Sequence, residues 1–167
     1  MTKPVMYSYR TIGIYSMDKK LQDKLYKKYP KIFKDRNRSI RESCMGWGID
    51  TGNGWYKILD ILCSLLQWDT DENKYPQVVA SQVKEKYGGL RFYTNGENDT
   101  QHGMIKFACA LSELTCEECG SMTDVTQTSG WIVTLCPEHM KAYNTQRGIK
   151  DTKKTDKHSK YVKQNFN

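Results

Sequence analysis

Histidine is nearly missing from this chain, with His102, His139 and His158 the only three in 167 residues. Any general base or metal ligand of that type comes from a very small pool. Long apolar runs are absent too. No stretch approaches the roughly 20 residues that a membrane span needs, and Met1-Thr2-Lys3-Pro4 leads into no apolar export segment. The expectation is a cytosolic protein with no membrane partner. Without an export signal, the six cysteines read as metal ligands or reduced thiols, with Cys44, Cys63 and Cys109 in apolar surroundings and no disulfides. Hydrophobic residues make up 38% of the chain, which points to one modest core. The centre also lacks basic excess. The net charge is +7, but six Lys and two Asp lie in 150–167 and nine Lys or Arg against three Asp in 18–38, leaving 39–149 acidic overall. An acidic centre weakens any reading of the folded core as a general phosphate-backbone binder.

What is present is a metal motif. Cys116-Glu117-Glu118-Cys119-Gly120 and Cys136-Pro137-Glu138-His139 are two ligand pairs, each with two residues between, separated by the sixteen residues Gly120 to Leu135. That spacing suits one tetrahedral zinc ion held by Cys116, Cys119, Cys136 and His139, with a hairpin between the pairs. The expected strands are Asp124 to Gln127 and Trp131 to Leu135, turning at Ser129-Gly130, with a helix from Glu138 to Gln146 opened by Pro137. Knuckle, hairpin and helix in that order make a treble-clef-like finger over 115–147. Four protein ligands leave no place for a reactive water, so the zinc is expected to be structural, one per chain. A nuclease on such a knuckle needs histidine on the second strand, where this chain has Trp131-Ile132-Val133-Thr134-Leu135.

Ahead of the finger the pattern is α+β. Residues 1–16, with Tyr7, Tyr9, Ile12, Ile14 and Tyr15 in partial alternation, read as an N-terminal arm, either a short strand or an extended segment. The core of 17–114 begins with an amphipathic helix, Met17 to Tyr29, whose Leu21, Leu25, Tyr26 and Tyr29 share a face. A polar connector, 31–43, leads to the loop Cys44 to Tyr56, which holds four glycines and three large aromatics. Such a loop at the start of a helix can present backbone N–H groups to an anion and Trp47, Trp55 and Tyr56 to a ring; a tight loop with its tryptophans in the core is the alternative. The helix Trp55 to Gln67 carries Ile58, Leu59, Leu62, Leu65 and Leu66, and a polar link follows from Asp69 to Tyr75. A hairpin then runs from Pro76 to Tyr87 and back through Leu90 to Thr94, turning at Gly88-Gly89. Near its tip Lys84, Lys86 and Arg91 sit with Tyr87, Phe92 and Tyr93, split by alternation between two faces and suited to phosphate and base; a charged outer sheet face is the ordinary reading. Asn98, Asp99 or Thr100 caps a helix from Gln101 to Leu114 whose Met104, Ile105, Phe107, Ala108, Leu111 and Leu114 face inward. The lysine-rich 148–167 has the composition of a disordered tail.

The phrases Ser43 to Asp50, Gly54 to Asp60, Gln82 to Tyr93 and the finger resemble a family of small tailed-phage proteins with bacterial relatives, over roughly residues 29–139. The resemblance implies a phage or mobile-element origin and the bacterial host cytoplasm. Three function classes follow. The first is a phage accessory protein that sequesters a small anionic ligand, a host nucleotide immune signal, in a pocket made by Trp47, Asp50, Trp55, Tyr56, Lys84, Lys86, Arg91 and Tyr93, without catalysis. The second is a nucleic-acid-binding zinc protein using the basic flanks. The third is a nucleotide-processing enzyme, for which Asp50, Asp60 and Glu85 are the scattered candidates.

Overall fold

The computed structural model of the chain describes residues 16–149. The expected arm over 1–16 and tail over 148–167 lie, except for Ser16, Gly148 and Ile149, outside the described residues.

Over the described residues the fold is mixed α+β, with four α-helices and two small sheets. Helix α1, Lys19–Lys28, puts Leu25 into the core and leaves its lysines outside. The segment after it is more than the polar connector expected from composition. Ile32 and Phe33 are fully buried, and Ile32 O accepts the Ala80 N–H at 2.9 Å. Two apolar residues among many charges were enough to anchor it, because burial follows side-chain area rather than the average of a window.

Strand β1, Ile49–Asp50, runs parallel to β2, Val79–Lys86, which pairs antiparallel with β3, Gly89–Asn95. Ile49, Val83 and Phe92 line up on the core face, and a bulge interrupts the pairing between Ala80 and Gln82. The turn is one residue earlier than expected. Tyr87 and Gly88 occupy it with φ 57° and 75°, the left-handed pair that a two-residue hairpin of this twist requires, and Gly89 already pairs with Lys86.

Helix α2, Tyr56–Asn73, continues six residues beyond Gln67, through most of the expected polar link. It stops at Lys74, a left-handed cap with φ 54°. Asp69 and Thr70 are buried there because they are satisfied: Asp69 accepts from Asn73 and Asn98, and Thr70 from Gln101. Helix α3, Asp99–Ser112, opens on a reciprocal capping box between Asn98 and Gln101 and lies antiparallel to α2. Its Ile105 and Ala108 are buried, but Phe107 is exposed, as are Leu114 in the turn after the helix and Leu65 on α2. These three do not face the core as the pattern predicts. At 3.6 residues per turn Phe107 lies on the side of α3 away from buried Gln101, Ile105, Ala108 and Ser112, Leu65 lies off the buried Leu59, Leu62 and Leu66 face of α2, and Leu114 falls in the turn beyond the helix.

After α3 come two short strands, β4, Thr126–Gln127, and β5, Thr134–Leu135, then helix α4, Pro137–Gln146. The hairpin between the cysteine pairs is shorter than expected. Thr128 donates its hydroxyl to Trp131 O and accepts the Val133 N–H, so a side chain replaces the outer ladder. Of the three other cysteines, Cys63 is buried, Cys109 half-buried, and Cys44 exposed rather than enclosed. No helix among the described residues is long and apolar enough to cross a membrane.

Candidate metal centre and ligand clefts

The two cysteine pairs converge. Cys116 sits in the turn that leaves α3; its N–H bonds Ser121 O at 2.7 Å, and the Gly120 N–H bonds back to Cys116 O at 2.8 Å. Cys136 caps α4, Pro137 occupies the first helical position, and His139 follows within the first turn. The four ligand atoms of Cys116, Cys119, Cys136 and His139 lie within 4.8 Å of one another. His139 Nδ1 is 3.1 Å from Cys136 Sγ and 3.7 Å from Cys116 Sγ, and Cys119 Sγ is 3.9 Å from Cys136 Sγ. A zinc tetrahedron with bonds of about 2.3 Å to sulfur and 2.0–2.1 Å to nitrogen has edges of about 3.8 and 3.5 Å, so this Cys3His group fits a metal ion. Burial pushes the Cys116 thiol up to about 12. Burial also acts upward on Cys136, but the His139 N–H and the neighbouring His139, Cys116 and Cys119 side chains bring it down to about 7, towards the thiolate a metal takes.

The glycine-rich loop divides into two halves with separate roles. Its second half is a bed for the cysteine knuckle. Gly54 donates its N–H to Glu117 O at 2.7 Å, and Gly52 donates to the Glu117 carboxylate at 2.8 Å. A Cβ on Gly54 would stand 2.5 Å from Gly120 N and 2.6 Å from Glu117 O, and closer still to Cys116 O. Only glycine permits that backbone approach. Trp55, expected as a stacking face, is fully buried, and its indole N–H bonds Thr115 O at 2.9 Å, one residue before the first cysteine. Tyr56 is half-buried against the core. Glu117 itself is buried, and one carboxylate oxygen has no hydrogen-bond partner among the described residues. Burial raises its pKa well above the usual range; the Gly52 N–H opposes this, and Glu85, Glu118 and Asp50 push further upward. Sequence reading passed over Glu117, because a residue between paired cysteines normally points to water.

The hairpin tip meets the knuckle as well. Gly88 O accepts hydrogen bonds from Thr134 and Gln127, and Glu85 accepts the Gly88 N–H at 2.6 Å. Asp50, Lys84 and Arg91 form one row across the three strands. Lys84 lies 5.8 Å over the Tyr93 ring, while Lys86 lies 5.3 Å over Tyr87 at the tip. Burial raises the Asp50 pKa, and Lys84 opposes it.

Two clefts flank the 3-10 turn Cys44–Trp47. One, of about 360 Å³, is lined by Ser43, Cys44, Gln82, Tyr93 and the acids Asp35 and Glu42. The other, of about 450 Å³, is lined by Lys19, Gln22, Tyr26, Arg36 and Trp47, with Gly46 and Gly48 at its edge. Trp47 is 67% exposed, and the Arg36 guanidinium lies 5.6 Å over Tyr26. Of the expected ligand residues, then, Asp50, Lys84, Arg91 and Tyr93 come together on the sheet, Trp47 joins α1 and Arg36 instead, and Trp55 is structural. Arg36 went unnoticed in a stretch whose charge averages looked like solvated surface. No protein-family model, curated protein or solved structure matches this chain.

Proposed function

We propose that Cys116, Cys119, Cys136 and His139 bind one structural zinc ion in a treble-clef-like finger, and that the protein is a non-catalytic binder of a small anionic ligand carrying a ring. A nucleotide is the chemistry that suits it best, and sequestering a host nucleotide signal is the use that a phage accessory protein would make of it. One observation supports this above the others. Arg36, which forms no ion pair with a carboxylate among the described residues, lies over Tyr26 in the same cleft as the exposed Trp47 ring. That is a cation for phosphate beside a flat face for a base. Asp23, the one acid lining the cleft among the described residues, is engaged by Lys19 at 3.1 Å. Stacking contributes about 1–3 kcal/mol and a charge-assisted hydrogen bond about 1.5–3, so a few such contacts reach micromolar affinity.

The test is a nucleotide panel titrated against the purified protein, with any retained ligand released by heat and identified. Trp47→Ala and Arg36→Ala are expected to weaken binding about tenfold or more while melting like wild type, since neither is core. Wild-type affinity in both variants refutes the cleft; if Arg91→Ala alone weakens binding, the ligand lies on the sheet face, and release of an altered nucleotide makes the protein an enzyme. A second reading, nucleic-acid binding, is favoured by Lys20, Lys24 and Lys27, all exposed on α1. Affinity that falls steeply with salt and is lost on neutralising those lysines would support it instead.

A further inference from the structure

Helices α2 and α3 each bury one face in the core, and each carries a second apolar row that nothing in the described residues covers. On α2 the row is Ile61, Leu65 and Trp68, the last 57% exposed; on α3 it is Phe107, 71% exposed, followed by Leu114 in the turn just after the helix. Single exposed apolar side chains are ordinary, but these recur at helical spacing along two helices that pack side by side. Both rows follow the four-and-three spacing of a helix-packing seam, and half-buried Met104 and Leu111 of α3 pack against the core.

The rows are self-complementary in shape and in charge. The seam is Gly103, Phe107 and Ala110 on α3, continued by Leu114 in the turn that follows it, so a two-fold axis across its middle sets each large residue against a small one: Phe107 on Ala110, Leu114 on Gly103. Gly103 has nothing within 4 Å of where a Cβ would stand, so nothing among the described residues calls for a glycine that weakens the helix. On α2, Lys57 and Glu72 are exposed at the two ends of the row. Their midpoint is also that of Ile61 and Trp68, so the same operation sets Lys57 against Glu72 and Ile61 against Trp68. The Gln101–Thr70 hydrogen bond fixes the relative height of the helices, and puts the two midpoints within about 3 Å of each other at 1.5 Å per residue. One axis serves both.

We propose that the α2–α3 face is a homodimer interface, in which two copies of the chain pack antiparallel about a two-fold axis perpendicular to the helices to form a four-helix bundle. Helices about 27 and 21 Å long, side by side at about 10 Å, offer a footprint on the order of 500 Å², whose corrugated accessible surface approaches the roughly 800 Å² per partner of a standard interface. The dimer does not depend on the ligand reading.

Sedimentation of the full-length protein across micromolar concentrations is the test, with twice the 19.4 kDa chain mass expected at the upper end. Phe107→Asp, on an exposed side chain, is expected to raise the dissociation constant by about a hundredfold with an unchanged circular dichroism spectrum. Lys57→Glu turns both end contacts into like-charge pairs and raises it by about tenfold, and the double variant Lys57→Glu/Glu72→Lys restores wild-type association. That rescue is specific to a second copy, because no other occupant carries the matching exchange. A monomer at every concentration, or a dimer indifferent to Phe107→Asp and to the charge reversal, overturns the proposal.

Discussion

Gly54→Ala is the most informative single change in this molecule, because it adds one methyl group where three backbone atoms of the cysteine knuckle already sit. The new carbon would lie 2.6 Å from Glu117 O and 2.5 Å from Gly120 N, and closer still to Cys116 O. None of these can rotate away as a side-chain end does. Carbon–oxygen contact needs well over 3 Å, so loop and knuckle must part by the better part of an ångström. That separation breaks the 2.7 Å Gly54–Glu117 hydrogen bond and strains the one from Gly52 to the Glu117 carboxylate. Overpacking costs about 1–3 kcal/mol, and leaving a buried donor and acceptor unpaired about 1–3 more. The expected destabilisation is about 3–5 kcal/mol, a large share of the 5–15 kcal/mol of an ordinary domain. Urea unfolding measures it directly. Because the atoms displaced belong to the backbone of the cysteine knuckle, zinc retention against a chelator should fall with it, on the order of tenfold or more. A Gly54→Ala protein within about 0.5 kcal/mol of wild type, holding zinc equally well, would refute the reasoning.

Three further outcomes follow from the same geometry. Elemental analysis should find close to one zinc per chain, and Cys119→Ser should lose it along with hydrogen-exchange protection at Thr134, Leu135 and through α4, since metal binding and folding are linked; protection that survives metal loss would show a self-sufficient fold there. Trp55→Ala removes a fully buried ring and its bond to Thr115, and should cost about 3–5 kcal/mol by denaturant titration, in contrast to Trp47→Ala. Burial alone would raise the Asp60 carboxyl, but the Lys28 ammonium at 2.8 Å and the Tyr29 hydroxyl at 2.7 Å outweigh it and hold the pKa below its ordinary 3.8. The unfolded carboxyl therefore binds protons first, and the stability it lends is present above about pH 4 and lost as pH falls through the folded value. Asp60→Asn should cost about 1 kcal/mol at neutral pH through the weakened Tyr29 bond, with the gap to wild type closing in acid; a gap constant with pH would count against the charge.

What the sequence determined by itself was whatever depends on neighbours along the chain. Two residues between paired ligands bring Cys116 to Cys119 and Cys136 to His139, and Asn98 with Gln101 writes a helix start, because those contacts close within one turn of backbone. The hairpin of β2 and β3 was legible for the same reason, down to a one-residue error in its turn. Tertiary structure decided which partner each apolar or glycine position meets. Trp47 and Trp55 stand in the same loop with the same chemistry, yet one is open and the other is enclosed against Thr115, since the knuckle that covers it arrives from 60 residues away. Gly52 and Gly54 looked like a place for an anion; they proved to be a place for the backbone of Glu117. Phe107 and Leu65 have inward-facing periodicity, but a helix repeats its faces without stating how wide the core beside it is. Periodicity records the direction of a side chain from its own axis, and only packing settles what lies in that direction.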